Sequence, residues 1–249
     1  MKKVFFIYII LASLLYASTR GSVQVLESTE NIRYFSQKLV KDYLYFDKYS
    51  HKHSITWGMK KDIRTLGDNL RKISMTVSDD NSQGIIEFLS YTKDQITDIL
   101  NHKIDKDSVL SMLDYSEVIL EGIDSISKIY TYDFTDEEKM FMTTKRLEYL
   151  LERVTKFHMA FKMNFNTEVN RVNIINTIAS IDKEFNKIKK YKYPLDMKKE
   201  IDEIIKLWKI NKVYLEPTTD IFVPTLIIPS IIHLEEQIKD IALYHSKKL

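Results

Sequence analysis

Residues that break helices are almost absent from the first three quarters of this chain. All four prolines lie in the last quarter, at Pro194, Pro217, Pro224 and Pro229, and the 249 residues include only five glycines. Lys, Glu, Ile and Leu, which helices accept readily, are abundant. Hydrophobic residues make up 44% of the chain, enough for the core of one large helical bundle or two small ones. The sequence therefore predicts an all-α protein.

Apolar residues at helical spacing predict a first set of four helices. The first helix is expected to run to about residue 48, and the next three to cover about residues 56–77, 83–102 and 108–130. Their short connections favour antiparallel, up-down neighbours. Ser28, Thr29 and Glu30 stand where the cap and first turn of the first helix are expected. In the turn after that helix, His51 and His53 could form half of a metal site, although exposed histidines in a turn are more often simply solvated.

The chain then starts a second set of four helices. The segment Tyr132–Glu138 combines an N-cap candidate with an acidic first turn, and a long helix is expected to follow through Phe165. A later helix is expected to start near Pro194 and end near Pro217, and a last one to run from Pro224 or Thr225 to Ser246. Lys187–Lys192 is the densest basic run; it falls at a predicted helix C-terminus, where cations are favourable, so it needs neither RNA nor lipid as a partner.

A shift of 115 residues aligns parts of the two sets. It carries Gln37–Lys41 onto Glu152–Lys156, and it carries four apolar positions of the second helix onto apolar positions of the sixth. These pairs are Ile63 with Ile178, Leu66 with Ile181, Leu70 with Phe185, and Ile73 with Ile188. A preserved register of apolar positions is typical of a duplication. We therefore predict two tandem four-helix modules, at residues 28–131 and 132–247.

The N-terminus resembles an export signal. Lys2 and Lys3 precede an apolar run of 14 residues, Val4–Ala17, which suits a signal-peptide core better than a membrane span of about 20 residues. We predict a signal peptide at residues 1–17 and a periplasmic or secreted protein; the alternative is an uncleaved anchor in the inner membrane with the bundle in the periplasm. Of the 37 Lys and Arg residues, Lys2 and Lys3 lie in this leader, which leaves 35 against 35 Asp and Glu, so nucleic acid is not an expected partner. The chain contains no Cys, hence no disulfide or thiolate metal site.

The stretch Asn31–Phe46 carries the best candidate site. Arg33, Ser36 and Gln37 fall within about one helical turn of one another, and a guanidinium beside a hydroxyl and an amide suits a small planar oxyanion. The alternative is a solvated or salt-bridged surface arginine, and Glu30, one turn away, could pair with Arg33 and exclude an anion.

The segment R-Y-F-S-Q-K-L-V-K-D-Y-L, which begins at Arg33, resembles the R-M-L-S-Q-R-M-x-K-x-Y-L signature of PilJ-type sensor domains. These are the N-terminal domains of type IV pili methyl-accepting chemotaxis transducers, related to the nitrate-sensing domain of NarX-type kinases. Further motifs occur in the order that such domains use, so the resemblance covers most of residues 28–245. They are Leu66–Leu70, Ile86–Leu89, Leu113–Gly122, Asn176–Asn186 and Leu207–Ile210.

The resemblance implies a ligand-binding sensor domain with Arg33, Ser36 and Gln37 around a nitrate-like anion. It also implies a homodimer through the first helix and a membrane receptor or kinase as partner. Two positions depart from the family pattern: Glu30-Asn31 stands where the family usually has Gly-Arg, and the second set has Glu148 at the position of Arg33. The alternative function is therefore a non-enzymatic periplasmic interaction or adaptor scaffold that has lost ligand binding.

No nucleophile constellation, phosphate loop or metalloprotease motif occurs in the sequence, so we expect neither an enzyme nor a cofactor. The carboxylates Asp136–Glu138 are expected to mark a helix start, and Trp57 and Trp208 to lie in the core. We expect His158 to be a surface or packing residue and His245 to interact with carbonyl groups at a helix end.

Overall fold

The chain folds into α-helices throughout the part that the structure describes. The computed structural model describes the backbone of residues 2–49, 53–218 and 223–249, and side chains from residue 21 onward except for residues 48–54 and 219–222. These ranges contain eight helices and no β-strand, which confirms the predicted all-α bundle. The helices are α1 (Lys2–Tyr49), α2 (His53–Thr76), α3 (Asp80–Ile99), α4 (Lys106–Ile129), α5 (Asp136–Lys162), α6 (Thr167–Lys190), α7 (Leu195–Leu215) and α8 (Pro224–Ser246).

The starts of α3, α4 and α5 coincide with side chains that bind free backbone N–H groups. Asp79 accepts a hydrogen bond from the Ser82 amide at the start of α3. Asp105 and Ser108 form a capping box on α4, and Thr135 and Glu138 form one on α5. Each cap satisfies donors that the first helical turn leaves without an intrahelical partner. The predicted boundaries of these helices are therefore close to those observed.

The predicted start of the first helix is wrong. Ser28, Thr29 and Glu30 lie in the interior of α1, whose backbone is helical from Lys2. The Thr29 hydroxyl donates to the Leu26 carbonyl at 2.7 Å, as a threonine inside a helix does, and no Pro interrupts the chain before it. The predicted signal peptide, residues 1–17, falls where the structure describes no side chains. Among the described residues, no helix is both long and apolar enough to cross a membrane.

The first four helices surround one hydrophobic cluster. α1 packs against α2 and α4, and α3 closes the ring by packing against both α2 and α4. Along α1 and α2, Asn31 contacts Asn69 and Lys38 contacts Asp62, so these helices run antiparallel. Along α1 and α4, Arg33 contacts Asp124 and Tyr43 contacts Ser108, so these helices are antiparallel too. The cluster is built from buried Ile, Leu, Val and Met side chains of these helices and from Tyr43, together with Met159 and Ala160 of α5 and Ile228 of α8.

The last four helices surround a second hydrophobic cluster, in which α5 packs against α6 and α8, and α7 packs against α6 and α8. The two groups meet where α1 packs along α5. Glu27 interacts with Lys145, and Lys41 contacts Glu152 farther along both helices, so α1 and α5 run parallel. This direction differs from the antiparallel packing inside each group. It places the N-terminal part of α5 beside residues 21–30 of α1.

The apolar positions that the 115-residue shift aligns are all buried. Ile63, Leu66, Leu70 and Ile73 lie in the first cluster, and their counterparts in α6 lie in the second. Equivalent faces of α2 and α6 therefore point into equivalent cores. The origin of the two groups as a tandem repeat stays a prediction.

Candidate functional site

Arg33 is held by three side chains of its own protein. Its guanidinium donates to Asp124 Oδ1 at 2.7 and 3.0 Å and to the Ser127 hydroxyl at 2.9 Å, both on α4. It also pairs with Glu30, one turn earlier on α1. Only 11% of the Arg33 side chain is exposed. Burial alone would lower the pKa of Arg33, but the charges of Glu30 and Asp124 outweigh it and raise this pKa.

Ser36 and Gln37 are buried beside α4 rather than open to a ligand. The Ser36 hydroxyl donates to the Arg33 carbonyl at 2.9 Å. The Gln37 amide donates to the Ser36 hydroxyl and to the Ser116 carbonyl, each at 3.3 Å. The predicted trio therefore stays together on one side of α1, but its donors are directed to other groups of the chain, and the buried Gln37 Oε1 has no hydrogen-bond partner among the described residues.

A cleft of about 580 Å³ opens next to Arg33, between α1, α4, α5 and α6. Arg33 and Glu30 lie in its wall, and the exposed Arg146 of α5 lies across from them. Arg146 forms no hydrogen bond or ion pair among the described residues. The charged residues of the cleft comprise five cations and three anions. They are Arg33, Lys128, Lys139, Arg146 and Lys187, with Glu30, Asp124 and Glu184.

Two buried lysines, which the sequence analysis did not single out as site residues, lie where α1 and α5 meet. Lys41 Nζ lies 2.7 and 3.0 Å from the two carboxylate oxygens of Glu152. Lys156 Nζ donates to Glu117 at 2.7 Å and to the Ser116 hydroxyl at 2.8 Å. The signal was available, because the 115-residue shift aligns Lys41 with Lys156 on otherwise apolar helix faces. Both ammonium groups are enclosed between packed helices and are not open to a ligand from solvent.

The pKa values of these two lysines move in opposite directions. Burial would lower the pKa of Lys41, but the charges of Asp42 and Glu152 raise it. Burial dominates for Lys156 and lowers its pKa to about 8, although Glu117 opposes this effect.

Glu235 of α8 lies at the same junction and forms no ion pair with a described residue. Its Oε2 accepts a hydrogen bond from the Tyr34 hydroxyl at 3.5 Å, and its Oε1 has no hydrogen-bond partner. Burial, followed by repulsion from Glu152, raises the pKa of Glu235 well above its usual value. The folded protein therefore keeps this carboxyl group neutral up to a higher pH than an exposed glutamate.

A second polar cluster lies at the end of the bundle where α5 and α7 begin and α6 and α8 end. His245 is buried; its Nδ1 lies 2.5 Å from Glu137, and its Nε2 lies 2.8 Å from the Tyr193 hydroxyl. Tyr191 and Lys248 also donate to Glu137, and these bonds lower the pKa of Glu137 to about 2 against the opposing effect of desolvation. His245 therefore meets side chains and not the helix-end carbonyls that we expected.

The remaining aromatic and histidine predictions have mixed outcomes. Trp208 is buried and donates to Asp182, but Trp57 is 64% exposed, so its predicted core position is wrong. His158 is buried, with its Nδ1 3.2 Å from the Leu215 carbonyl, as expected for a packing residue. His51, and the side chain of His53, lie outside the described residues. The described side chains contain no group of three or more His, Cys, Asp or Glu that could hold a metal ion.

The fold and these contacts define an all-α helical-bundle protein in which charged groups are buried between its two parallel central helices. No protein-family model matches the chain, and no curated protein or solved structure matches it either. The PilJ-type resemblance of the residues around Arg33 therefore stays a prediction.

Proposed function

We propose that this protein is a non-enzymatic, exported interaction module of the PilJ type. In this module, carboxylates of the protein itself pair with Arg33, the arginine that would otherwise bind an anion. The observation that supports this function is the pairing of Arg33 with both Glu30 and Asp124. An adaptor scaffold was the alternative to a nitrate sensor in the sequence analysis, and this contact favours the adaptor.

The charges around Arg33 oppose a bound anion. One guanidinium faces two carboxylates, so its immediate surroundings are negative, and a nitrate ion would have to displace a charge-assisted hydrogen bond. Glu30 is buried, and burial raises the pKa of its carboxyl group against the opposing charges of Arg33 and Arg146. Releasing this carboxyl group from Arg33 would remove the larger of the two opposing charges, at a cost of up to about 3–5 kcal/mol. A weakly hydrogen-bonding anion does not offset that cost.

A partner protein would find apolar side chains on the outer helices. Val169, Val172 and Ile175 follow one another at three-residue steps on α6 and are 62, 44 and 48% exposed. Ile210 and Val213 are likewise exposed on α7. α1 contacts α2, α4 and α5, so a homodimer through the first helix would have to displace α5 from the face that it covers. These outer faces are better suited to a periplasmic partner, such as a membrane receptor or kinase.

Small-anion binding is the second candidate function, and the cleft beside Arg33 favours it. Its cations outnumber its anions, and Arg146 presents a guanidinium without an ion pair among the described residues. A nitrate-like anion would then contact Arg146 at the cleft and Arg33 only through its remaining exposed edge.

Calorimetry and thermal shift with nitrate, nitrite and chloride separate the two candidates. We expect no saturable heat for the parent chain. We expect the double variant Glu30→Gln/Asp124→Asn to bind nitrate and to be stabilised by it, because both changes keep the side-chain shape and remove the negative charge from Arg33. Arg33→Ala should destabilise the fold by about 3 kcal/mol without changing anion binding, since it leaves Glu30 without its cation.

Two outcomes would contradict the adaptor proposal. Saturable nitrate binding by the parent that Arg146→Ala abolishes would make the cleft an anion site. If the variant Glu30→Gln/Asp124→Asn is folded but does not bind nitrate, the two carboxylates are not what excludes the anion.

A further inference from the structure

An apolar groove lies between α3 and α4 on the solvent side of the first helical group. Its volume is about 690 Å³, and its lining includes Asp80, Gly84, Ile85, Phe88, Val118 and Glu121. The Phe88 side chain is 56% exposed. Gly84 leaves the groove open, because a Cβ atom there would meet no atom within 4 Å. The groove therefore offers apolar surface and room for a side chain from outside.

The charged groups of this groove are negative. Among the described residues that line it, both charged ones, Asp80 and Glu121, are acidic. Lys93 of α3 lies against α2 on the other side of its helix, and Lys128 of α4 lines the cleft beside Arg33. Neither lysine therefore neutralises the groove.

The negative charge extends over both helices. α3 carries four acidic residues and one lysine, and α4 carries five acidic residues and two lysines. Three of the nine acids pair with Lys or Arg side chains, and they are Asp94, Glu117 and Asp124. Six acids then remain against Lys106 and Lys128, so this surface favours a cationic occupant.

The chain itself presents a cationic and apolar group on α2, which we call the aromatic knob and which consists of Trp57, Lys60 and Lys61. Trp57 is 64% exposed, and Lys61 Nζ lies 6.0 Å from the centre of its ring. Because Lys60 and Lys61 follow Trp57 by three and four residues, one helix face carries the ring and both ammonium groups. Both lysines are exposed, and neither forms an ion pair among the described residues. The two acidic residues of α2 pair elsewhere, Asp62 with Lys38 and Asp68 with Arg71.

The aromatic knob of one molecule cannot occupy the groove of the same molecule. Trp57 lies near the start of α2, whereas Asp80 and Gly84 of the groove follow shortly after the end of α2 at Thr76. With a rise of about 1.5 Å per residue, Trp57 and Thr76 lie roughly 28 Å apart along this helix. A knob and a groove at opposite ends of the first helical group suit a head-to-tail contact between copies.

We propose that the aromatic knob of one copy of this chain docks in the α3–α4 groove of a second copy. The indole ring packs against Ile85, Phe88 and Val118, and the ammonium groups of the knob face Asp80 and Glu121. A dimer formed in this way keeps one free knob and one free groove, so association continues as concentration rises. One side chain in one groove is a small contact, and the association is therefore weak and reversible. It involves neither the candidate anion site nor the outer faces of α6 and α7, so it does not depend on the proposed function.

The test is sedimentation velocity of the full chain over a wide range of protein concentration, at low and at high salt. The groove variant carries Phe88→Ala and Glu121→Gln, and it keeps its knob. The knob variant carries Trp57→Ala and Lys61→Gln, and it keeps its groove. The N-terminal segment is the same in all the proteins, so differences between them report on the changed side chains.

Two further variants serve as controls of position and of charge. The first makes the same kind of change on the other side of α3, with Tyr91→Ala and Glu87→Gln, and both residues line the groove between α2 and α3. The second, Gly84→Gln, places a side chain in the α3–α4 groove without changing a charge, and the open space at Gly84 accepts it. Circular dichroism of each variant verifies that the helices are retained.

We expect the mean mass of the parent and of the Tyr91→Ala/Glu87→Gln variant to rise above that of a monomer with concentration, and to rise less at high salt. The groove variant, the knob variant and Gly84→Gln should each associate at least roughly tenfold more weakly. A mixture of the groove variant and the knob variant should recover the association. It should stop at a complex of one copy of each, because only one intact knob and one intact groove are present in that complex.

A parent that is monomeric at every concentration would overturn the proposal. If such a parent bound a short peptide with a tryptophan beside two lysines, the groove would serve a different protein. Association that the groove variant and the knob variant both keep would place the contact on another surface. Failure of their mixture to recover association, although both are folded, would equally contradict a knob-in-groove contact.

Discussion

At the residue scale, the main feature is the number of charged groups that the chain buries near α1 and α5. Lys41 with Glu152, Lys156 with Glu117, and Arg33 with Glu30 all lie on or beside these helices. Such pairs contribute little net stability compared with apolar residues of the same size, but removing one partner is costly. A shift of one turn between the helices would separate Lys41 from Glu152 and Lys156 from Glu117, so these two pairs fix which helix faces meet.

Glu235 gives this buried network a dependence on pH. Its pKa is raised in the folded state, so folding favours the protonated form, and the stability that this form contributes is lost as pH rises from the ordinary glutamate range through the raised pKa. The charged groups that face it are Lys41 on α1, Glu148 and Glu152 on α5, and Lys239 on its own helix, with the neutral Tyr34 hydroxyl beside it.

We expect Glu235→Gln, which resembles the protonated side chain, to match the parent at about pH 4 and to exceed its free energy of unfolding by roughly 1 kcal/mol or more at about pH 8. Urea titrations at several pH values measure this difference. Glu236→Gln is the control, because Glu236 is an exposed neighbour on the same helix. A constant difference between Glu235→Gln and the parent at every pH would contradict the prediction.

At the element scale, α3 and α4 approach each other closely at a glycine. A Cβ atom on Gly122 would lie 2.8 Å from a methyl group of Leu89, whose side chain is fully buried. At Gly58 of α2, by contrast, a Cβ would meet no atom within 4 Å.

The same substitution should therefore have opposite effects at these two positions. Gly58→Ala should stabilise the protein by up to about 1 kcal/mol through helix propensity. Gly122→Ala should destabilise it by about 1–3 kcal/mol, because overpacking outweighs that gain. Thermal unfolding of the two variants measures both changes, and stabilisation of both would mean that the α3–α4 packing is looser than the distances imply.

Local sequence patterns predicted most of the helices but few of the contacts between them. Caps such as Thr135 and the apolar spacing of α2 and α6 act within a few residues, so they can be read from the chain. The partners of Arg33 on α4 and of His245 on α5 lie 91 and 108 residues away, and periodicity does not state which helices are neighbours. Of the partners of Arg33, only Glu30 is close in sequence, and its pairing with Arg33 was predicted from the sequence. The start of α1 was misplaced because Ser and Thr resemble a cap when no packing is known.

At the scale of the whole molecule, the packing of α1 along α5 should couple the unfolding of the two helical groups. Met159 and Ala160 of α5 belong to the core of the first group, so the first core cannot open without uncovering α5. The chain has two tryptophans: Trp57 is exposed on α2, and Trp208 is buried in the second group against Phe185.

We expect a Trp57→Phe protein to unfold in urea with the same midpoint by Trp208 fluorescence and by helical ellipticity. Adding Leu66→Ala, a cavity in the first core, should cost about 2–5 kcal/mol and lower both midpoints together. If Trp208 fluorescence kept its original midpoint while part of the ellipticity was lost earlier, the two groups would be independent units.

The parallel pair α1 and α5 also has a consequence for how the protein can change by mutation. In a homodimer whose interface is formed by two copies of one helix, each substitution is present in both copies. An acidic residue introduced opposite a lysine of one copy therefore also appears in the other copy. Here the facing helices are encoded separately. At the 115-residue shift Glu152 corresponds to Gln37, whereas Lys41 corresponds to Lys156, and the ion pair between Lys41 and Glu152 therefore exists on one side only. A substitution in α1 therefore leaves α5 unchanged, and the reverse is also true. The two helices can acquire different charges through single mutations.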